Sequence, residues 1–308
     1  MIAAAVGGAR YGDPVTGFPT AEATIDDDVV RALLLDQHPD LANQELRWES
    51  SGWDNVTYRL GDDLAVRLPR ISAAADLIRK EQEWLPRLAP ELPVAVPVPV
   101  RIGEPGSGYP WPWSVVPWFE GTSAEHEPVA VAEAGRFGRF LSVLHRPAPP
   151  DAPRTPYRGI PLTAVEGMPE RIAALAAGSA QVAANSAALE QIWRTACATP
   201  RDVPEVLLHS DLHPKNLVVA GGRLAAVLDW GDLTIGDPAT DLAAAWMLFP
   251  LGAHPQVWEQ YGPVTPNTFT RATGWAVFFG VTLLEVGLAG DEPFADVGAR
   301  TLARVTTP

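Results

Sequence analysis

Cysteine is nearly missing. Cys197 stands alone among 308 residues, which excludes an intrachain disulfide and leaves no thiolate framework for zinc. The scarcity also fits a reducing compartment, so a cytosolic, cytoplasmic location is expected. Basic residues are short as well: 23 Lys and Arg face 37 Asp and Glu, for a formal net charge of -14. That balance argues against general nucleic-acid binding and favours cationic partners wherever the acids cluster. The opening stretch "MIAAAVGGARYGDPVTG" lacks the basic start and apolar run of a secretory signal. A run of eighteen or more apolar residues is also absent, so no membrane partner is expected. No internal repeat is visible, and the Ala-rich second half reads as helix propensity rather than low complexity. What remains is an ordinary folded chain, 47% hydrophobic, long enough for a sizeable core in one or two domains.

Punctuation by Pro and Gly divides that chain. Residues 1–23 carry no periodic pattern and are expected to be mobile. "TIDDDVVRALLL" (24–35) has a Thr/Asp start and apolar residues at helical spacing. "ELRWESSGWDNVTYRLGDDLAVRLPR" (45–70) alternates as strands do, with "GDD" as a hairpin turn. "AADLIRKEQEWLPRLA" returns to helical spacing. The Pro-rich residues 91–121 must be extended, since proline at that density cannot continue a helix, and two short strands around a turn are expected there. After Gly121 the pattern becomes mostly helical: residues 129–146, Ala-rich helices to about Thr199, "DLAAAWMLF", and "TRATGWAVFFGVTLLEVGL", with a Pro-rich loop at 147–161. The boundary falls near Trp118, giving a β-rich lobe at 24–118 with one main helix and a helical lobe at 119–308. The fold class is therefore α+β.

Chemistry concentrates in "LLHSDLHPKNLVV" (207–219), where a His, an Asp, a second His, a Lys and an Asn sit within eight residues between runs of Leu and Val. Apolar flanks bury the segment, and its middle is too polar to bury without a purpose. Asn216 leads through "NLVV", the "GGR" turn and "LAAVLDW" to Asp229, so a hairpin returns Asp229 beside Asn216. Two oxygen donors placed so suit Mg²⁺, which completes its shell with water and phosphate oxygens. Asp211, just before them, is placed to accept a hydroxyl proton. A base, an Asn five residues on, and a metal Asp after a hairpin are the parts of phosphoryl transfer. An H-x-D-x-H metal cluster of a hydrolase is the rival reading, but His38, His126, His145 and His254 lack compatible spacing.

The three segments "LLHSDLHPKNLVV", "VLDWGD" and "IGDPATDLA" together resemble those of the aminoglycoside phosphotransferase family, small-molecule antibiotic kinases with a protein-kinase-like, two-lobe fold. The resemblance spans roughly residues 25–290. It implies transfer of the γ-phosphoryl of ATP or GTP to a small-molecule hydroxyl, with Asp211 as catalytic base and Asn216 and Asp229 on Mg²⁺. Carried over to the first lobe, it makes "ESSGWDNVTYRL" the phosphate-covering turn, with Ser50, Ser51, Gly52 and Asn55 as donors. Arg67 occupies the strand position of the phosphate-gripping Lys, and a planar fork is not interchangeable with a compact ammonium. Glu81 is its helix partner, with Glu83 competing. "WSVVPWFEG" becomes the hinge, where backbone groups near Val116 and Trp118 meet a purine and Pro117 removes one donor.

The remaining polar residues admit plainer roles. His209 is read as fixing the loop through backbone hydrogen bonds. His213 and Lys215 are either solvated or in contact with phosphate. Asp237 and Asp241 read as helix caps, and most of the eleven Trp as packing. The acceptor of this family lies between the catalytic loop and the C-terminal helices, which makes Asp232, Trp246, Trp275, Glu285, Asp291 and Glu292 candidate wall residues. Acids there attract a cationic aminoglycoside, whereas aromatic walls suit a macrolide or nucleoside. An antibiotic acceptor, for resistance or self-protection, is the first expectation. A metabolite kinase with a choline- or sugar-type acceptor is the second, and a nucleotide-binding pseudokinase, favoured only by Arg67, is the third.

Overall fold

The computed structural model describes residues 19–307; of the segment expected to be mobile, residues 1–18 lie outside the described residues. Helix α1 (Asp27–Gln37) starts where Asp26 accepts a hydrogen bond from the Val29 N–H, two residues later than the Thr24 expectation, because an Asp carboxylate there caps the first turn. It covers an antiparallel sheet of β1 (Leu46–Ser51), β2 (Asn55–Leu60), β3 (Leu64–Pro69), β4 (Arg101–Gly103) and β5 (Trp113–Pro117), in the order β1-β2-β3-β5-β4. Alternation along β2 buries Val56, Tyr58 and Leu60. They meet Val30, Leu33 and Leu34 of α1 and Trp113 and Val115 of β5 in one small core. The β2–β3 turn has Gly61 at φ 60°, a left-handed position where glycine costs least. Helix α2 (Ser72–Leu88) supports the sheet through Gln82, whose side-chain amide donates to the Trp113 carbonyl.

The five-stranded sheet ends at Pro117, and the next strand, β6 (Thr122–Ser123), pairs instead with β8 (Leu217–Ala220), which pairs with β9 (Arg223–Val227). β7 (Val206–Leu208) and β10 (Thr234–Gly236) form a second short ribbon. Around these ribbons lie α3 (Ala134–Leu144), α4 (Met168–Gly178), α5 (Ala180–Ala198), α6 (Ala239–Leu242), α7 (Ala244–Leu248), α8 (His254–Tyr261), α9 (Pro266–Leu288) and α10 (Glu292–Val305). This mixed α+β arrangement has a sheet-rich first lobe and a helical second one.

Several expectations change in detail. The single helix expected over 241–249 is two short ones, α6 and α7, separated at Ala243. α8 and α10 went unread because Pro at their first turns looks like loop in a sequence, although proline is tolerated there. By length and mean hydropathy of 1.2, α9 qualifies as long and apolar enough to cross a membrane, which the sequence reading had excluded. Its apolar window is 78% buried within the fold, as expected of a central core helix.

Candidate active site

The loop after β7 is held in a shape the backbone would not choose. Ser210 has φ 66° and Asp229 φ 60°, both left-handed without being glycine. The first is fixed by Asp241, almost fully buried, whose two carboxylate oxygens accept from the His209 and Ser210 N–H groups at 2.8 Å each. His145 Nε2 also meets Asp241 Oδ2 at 3.2 Å. The Ser210 hydroxyl donates to the Asp232 carbonyl, and the His209 Nε2 lies 2.9 Å from the Leu228 carbonyl, joining the loop to the segment before Asp229. His209 thus bonds to backbone, and Asp241 anchors the loop rather than capping a helix. Asp237 does cap, accepting from the Ala239 N–H, and also pairs with Arg271.

Within this frame Asp211 is buried beside Asn216, whose Nδ2 donates to the Asp211 carbonyl at 3.0 Å and lies 3.4 Å from its carboxylate. The amide nitrogen is thereby committed to the loop, which leaves Asn216 Oδ1 as the acceptor atom of that side chain. Burial alone pushes the Asp211 carboxyl up, but the Arg158 guanidinium, 3.5 Å away, reverses this and holds it well below the usual carboxylate range. Burial pushes neighbouring His213 down to about 4, so its imidazole is neutral at pH 7. Arg158 also grips Asp232 through Nε and Nη2 at 2.9 and 2.6 Å.

Across the cleft, Arg67 Nη1 bonds Glu81 at 2.6 Å, and Nη2 lies 3.9 Å from Asp229. The other Glu81 oxygen accepts from the Trp230 N–H at 2.8 Å, and neighbouring Lys80 donates to the Gly231 carbonyl at 2.6 Å. Helix α2 therefore holds both the cation on β3 and the backbone after Asp229. Glu83 pairs with Arg87 on the exposed side, so it does not compete with Glu81. Ser50, Gly52, Asn55, Arg67, Val116, Trp118, Lys215, Asn216 and Asp229 line one cleft of about 600 Å³, a size suited to a nucleotide. Ser51 pairs with Val56 in the turn, beside those residues but not among the lining. Asp54, buried and raised well above the carboxylate range by burial and then by Asp229 and Asp232, also lines this cleft and went unread.

Two expectations need correction. The Trp118 N–H donates to the Asp63 carbonyl at 2.7 Å, continuing the β3–β5 ladder, so it cannot serve a base. Phe119 is the next lining residue with a backbone N–H. Trp246 and Trp275 are not wall residues: Trp246 packs among His254, Trp258 and Phe269, and Trp275 against Phe278 and Phe279, both almost fully buried. The acids expected beside them already hold cations: Asp232 with Arg158, Glu285 with Arg171 and Asp291 with Lys215. Glu292, in the first turn of α10, has no such partner among the described ion pairs. Arg158 and Lys80 were missed because nothing local marks them; each acts on a segment more than seventy residues away.

A sequence model of the phosphotransferase enzyme family, APH, matches residues 49–270. The chain belongs to that family. Among curated relatives it is 30% identical over 173 residues to the homoserine kinase of Methylocella silvestris, covering 51% of this chain and 50% of the relative, so the chain spans about half the length of the relative it matches. The fold is shared with the GDP complex of aminoglycoside 2'-phosphotransferase-IIIa, at 20% identity and TM-score 0.64 over 92% of this chain and 99% of that one. It is shared also with macrolide 2'-phosphotransferase MphH from Brachybacterium faecium, at 23% identity and TM-score 0.59 over 89% and 98%. The two-lobe, kinase-like fold read from the motifs is thus the fold of this chain.

Proposed function

We propose that this chain moves the γ-phosphoryl of ATP or GTP to a hydroxyl of a small molecule, with Mg²⁺ as its metal. The reading is carried by the approach of Asp211 to Asn216, and of Arg67 to both Glu81 and Asp229, with Arg67, Asn216 and Asp229 lining one nucleotide-sized cleft. Asp211, ionised at neutral pH, accepts the acceptor's hydroxyl proton. The freed oxygen attacks the γ-phosphorus, and the bond to the bridging oxygen breaks to release ADP or GDP. Arg67, fixed by Glu81, holds phosphate charge, and Lys215 adds a second cation at the cleft. Ser50, Gly52 and Asn55 cover the phosphates, while Val116 and the hinge beyond it seat the base through the Phe119 N–H. Asn216 Oδ1 and Asp229 supply two oxygen donors, too few for a closed site and suited to a metal that keeps water and phosphate oxygens. Bound there, Mg²⁺ would neutralise phosphate charge as the leaving oxygen departs.

For the acceptor, the paired state of Asp232, Glu285 and Asp291 weighs against a polycation, since each acid already has its counter-charge. Among antibiotic acceptors this favours a macrolide or nucleoside over an aminoglycoside. The likeness to a homoserine kinase supports a second reading, a metabolite kinase acting on a small amino alcohol. The protein is to be incubated with Mg²⁺, ATP or GTP, and a panel of macrolides, nucleosides, aminoglycosides, homoserine, choline and sugars. A mass gain of one phosphoryl group identifies the acceptor. Asp211→Asn should abolish that gain while nucleotide still binds; wild-type turnover in this variant would remove Asp211 from the role.

A further inference from the structure

The peptide at which the chain passes from one lobe to the other can be located from its partners. At Trp118 the chain still belongs to the sheet, since that N–H bonds the Asp63 carbonyl of the β2–β3 turn. From Gly121 it belongs to the other lobe. A Cβ on Gly121 would lie 2.3 Å from the Val219 carbonyl oxygen of β8, its φ is 134°, and β6 follows at once on the same strand. Residues 118–120 lie outside any strand, and one side chain of β2 holds them. The Arg59 guanidinium carbon stands 4.7 Å from the centre of the Trp118 ring. Its Nη2 donates to Glu120 Oε1 at 2.6 Å and to the Asp62 carbonyl at 2.9 Å. Arg59 is opposite Ala65 of β3, which is opposite Val116 of β5, so it extends a row whose other two members line the cleft. The Glu120 side chain is 75% exposed, so the ion pair alone is weak, but Arg59 is only 20% exposed and ties three points at once.

Phe119 lies between the two residues that Arg59 holds, and its N–H is the group that the nucleotide reading assigns to the base. A hydrogen bond to a flat ring needs direction as well as distance. A segment without a strand partner has to be ordered by the ligand, at a cost in affinity, unless the protein orders it beforehand. A planar guanidinium suits that task, because it stacks on an indole and bonds at its edge in the same pose. We propose that Arg59 is a positioning residue for the base: by fastening Trp118 and Glu120 to the β2–β3 turn, it fixes the Phe119 N–H to the sheet lobe and leaves Gly121 as the pivot between lobes. The base then travels with β3 and Arg67 when the cleft opens, rather than with the catalytic loop. The proposal rests on the nucleotide reading above.

A ligand without a base separates this role from general damage. ADP and GDP with Mg²⁺ are titrated by calorimetry, and Mg²⁺ tripolyphosphate, which has phosphates and no base, is followed by thermal shift at millimolar concentration. Arg59→Ala is expected to weaken whichever nucleotide the wild type binds by about tenfold, as loss of a stacked, charge-assisted anchor does, and to leave the tripolyphosphate shift unchanged. Arg59→Lys keeps a cation beside Glu120 without the flat stack and should lose about threefold. Undiminished nucleotide binding in Arg59→Ala, or an equal loss of the tripolyphosphate response, overturns the proposal and leaves the phosphotransferase reading standing. If Arg59→Ala does not fold, Arg59→Lys decides by the same two readouts. Failure of the wild type to bind either nucleotide overturns the nucleotide reading and the proposal with it.

Discussion

Replacing Asp241 by Asn tests whether the catalytic loop is held by a buried carboxylate. Both Asp241 oxygens accept main-chain N–H groups at 2.8 Å, from His209 and Ser210. An amide keeps one acceptor and turns the other into a donor that faces a donor. One hydrogen bond to a charged group is lost, at about 1.5–3 kcal/mol, and one N–H is left buried and unsatisfied. The variant also loosens the grip on Ser210, whose φ of 66° costs about 1–2 kcal/mol that the clamp now offsets. A net loss near 3 kcal/mol is expected, which at roughly 2 °C per kcal/mol for a chain of this size lowers Tm by about 6 °C. Scanning calorimetry reads that shift, and kcat should fall further than KM rises because Asp211 follows Ser210 directly. Adding Ser210→Gly, which relieves the left-handed strain, should recover part of the Tm. A Tm within a degree of wild type, with unchanged kcat, would refute the clamp.

Other consequences can be checked separately. Arg67→Lys should weaken nucleotide diphosphate binding about tenfold by calorimetry, because a single ammonium cannot span Glu81 and Asp229 as the fork does. Gly138→Ala should destabilise by about 2 kcal/mol or more in urea melts, since the added carbon would lie 2.1 Å from the Val257 carbonyl oxygen where α3 crosses α8. On acidification His213 and His254 should each contribute a loss of stability, while Asp54, raised by burial, contributes a gain as it takes up its proton. Burial pushes His213 down to about 4 and His254 down as well, so the unfolded chain binds more protons as pH drops below about 6.5. The His213 share, of order 3 kcal/mol, is present at neutral pH, is lost between about pH 6.5 and 4, and changes little below that. A difference in urea midpoint between the wild type and His213→Gln that stays constant from pH 7 to 4 would contradict it.

What could be read from the chain follows the range of its contacts. Asp211, Asn216 and Asp229 lie on one hairpin unit, so their spacing alone brings them together. Arg67 and Glu81 lie on neighbouring elements of one lobe, and the same reasoning reaches them. Arg158 reaches Asp232 across 74 positions from a Pro-rich loop, and Lys80 reaches Gly231 across 151. No local periodicity encodes such partners. Trp246 and Trp275 went astray for a related reason: an aromatic near a site in sequence gives no sign of the side of its helix from which it projects. The Trp118 amide was misassigned because ladder register, which commits it to Asp63, depends on the strand opposite.

The course of α2 has a mechanical consequence. Its number places it in the sheet lobe, yet Trp84, Leu85 and Leu88 share one buried cluster with Phe137, Phe140 and Trp230 of the helical lobe, while the sheet and α1 keep a core of their own. Lys80 and Glu81 add two hydrogen bonds to the same side. A widening of the cleft that keeps this cluster intact would leave α2 with the helices and break its Gln82 bonds to β5 along with the Arg67–Glu81 pair. The slip plane passes between Arg67 and Glu81, so that one ion pair is a gauge of opening, readable by a distance label on β3 and another on α2.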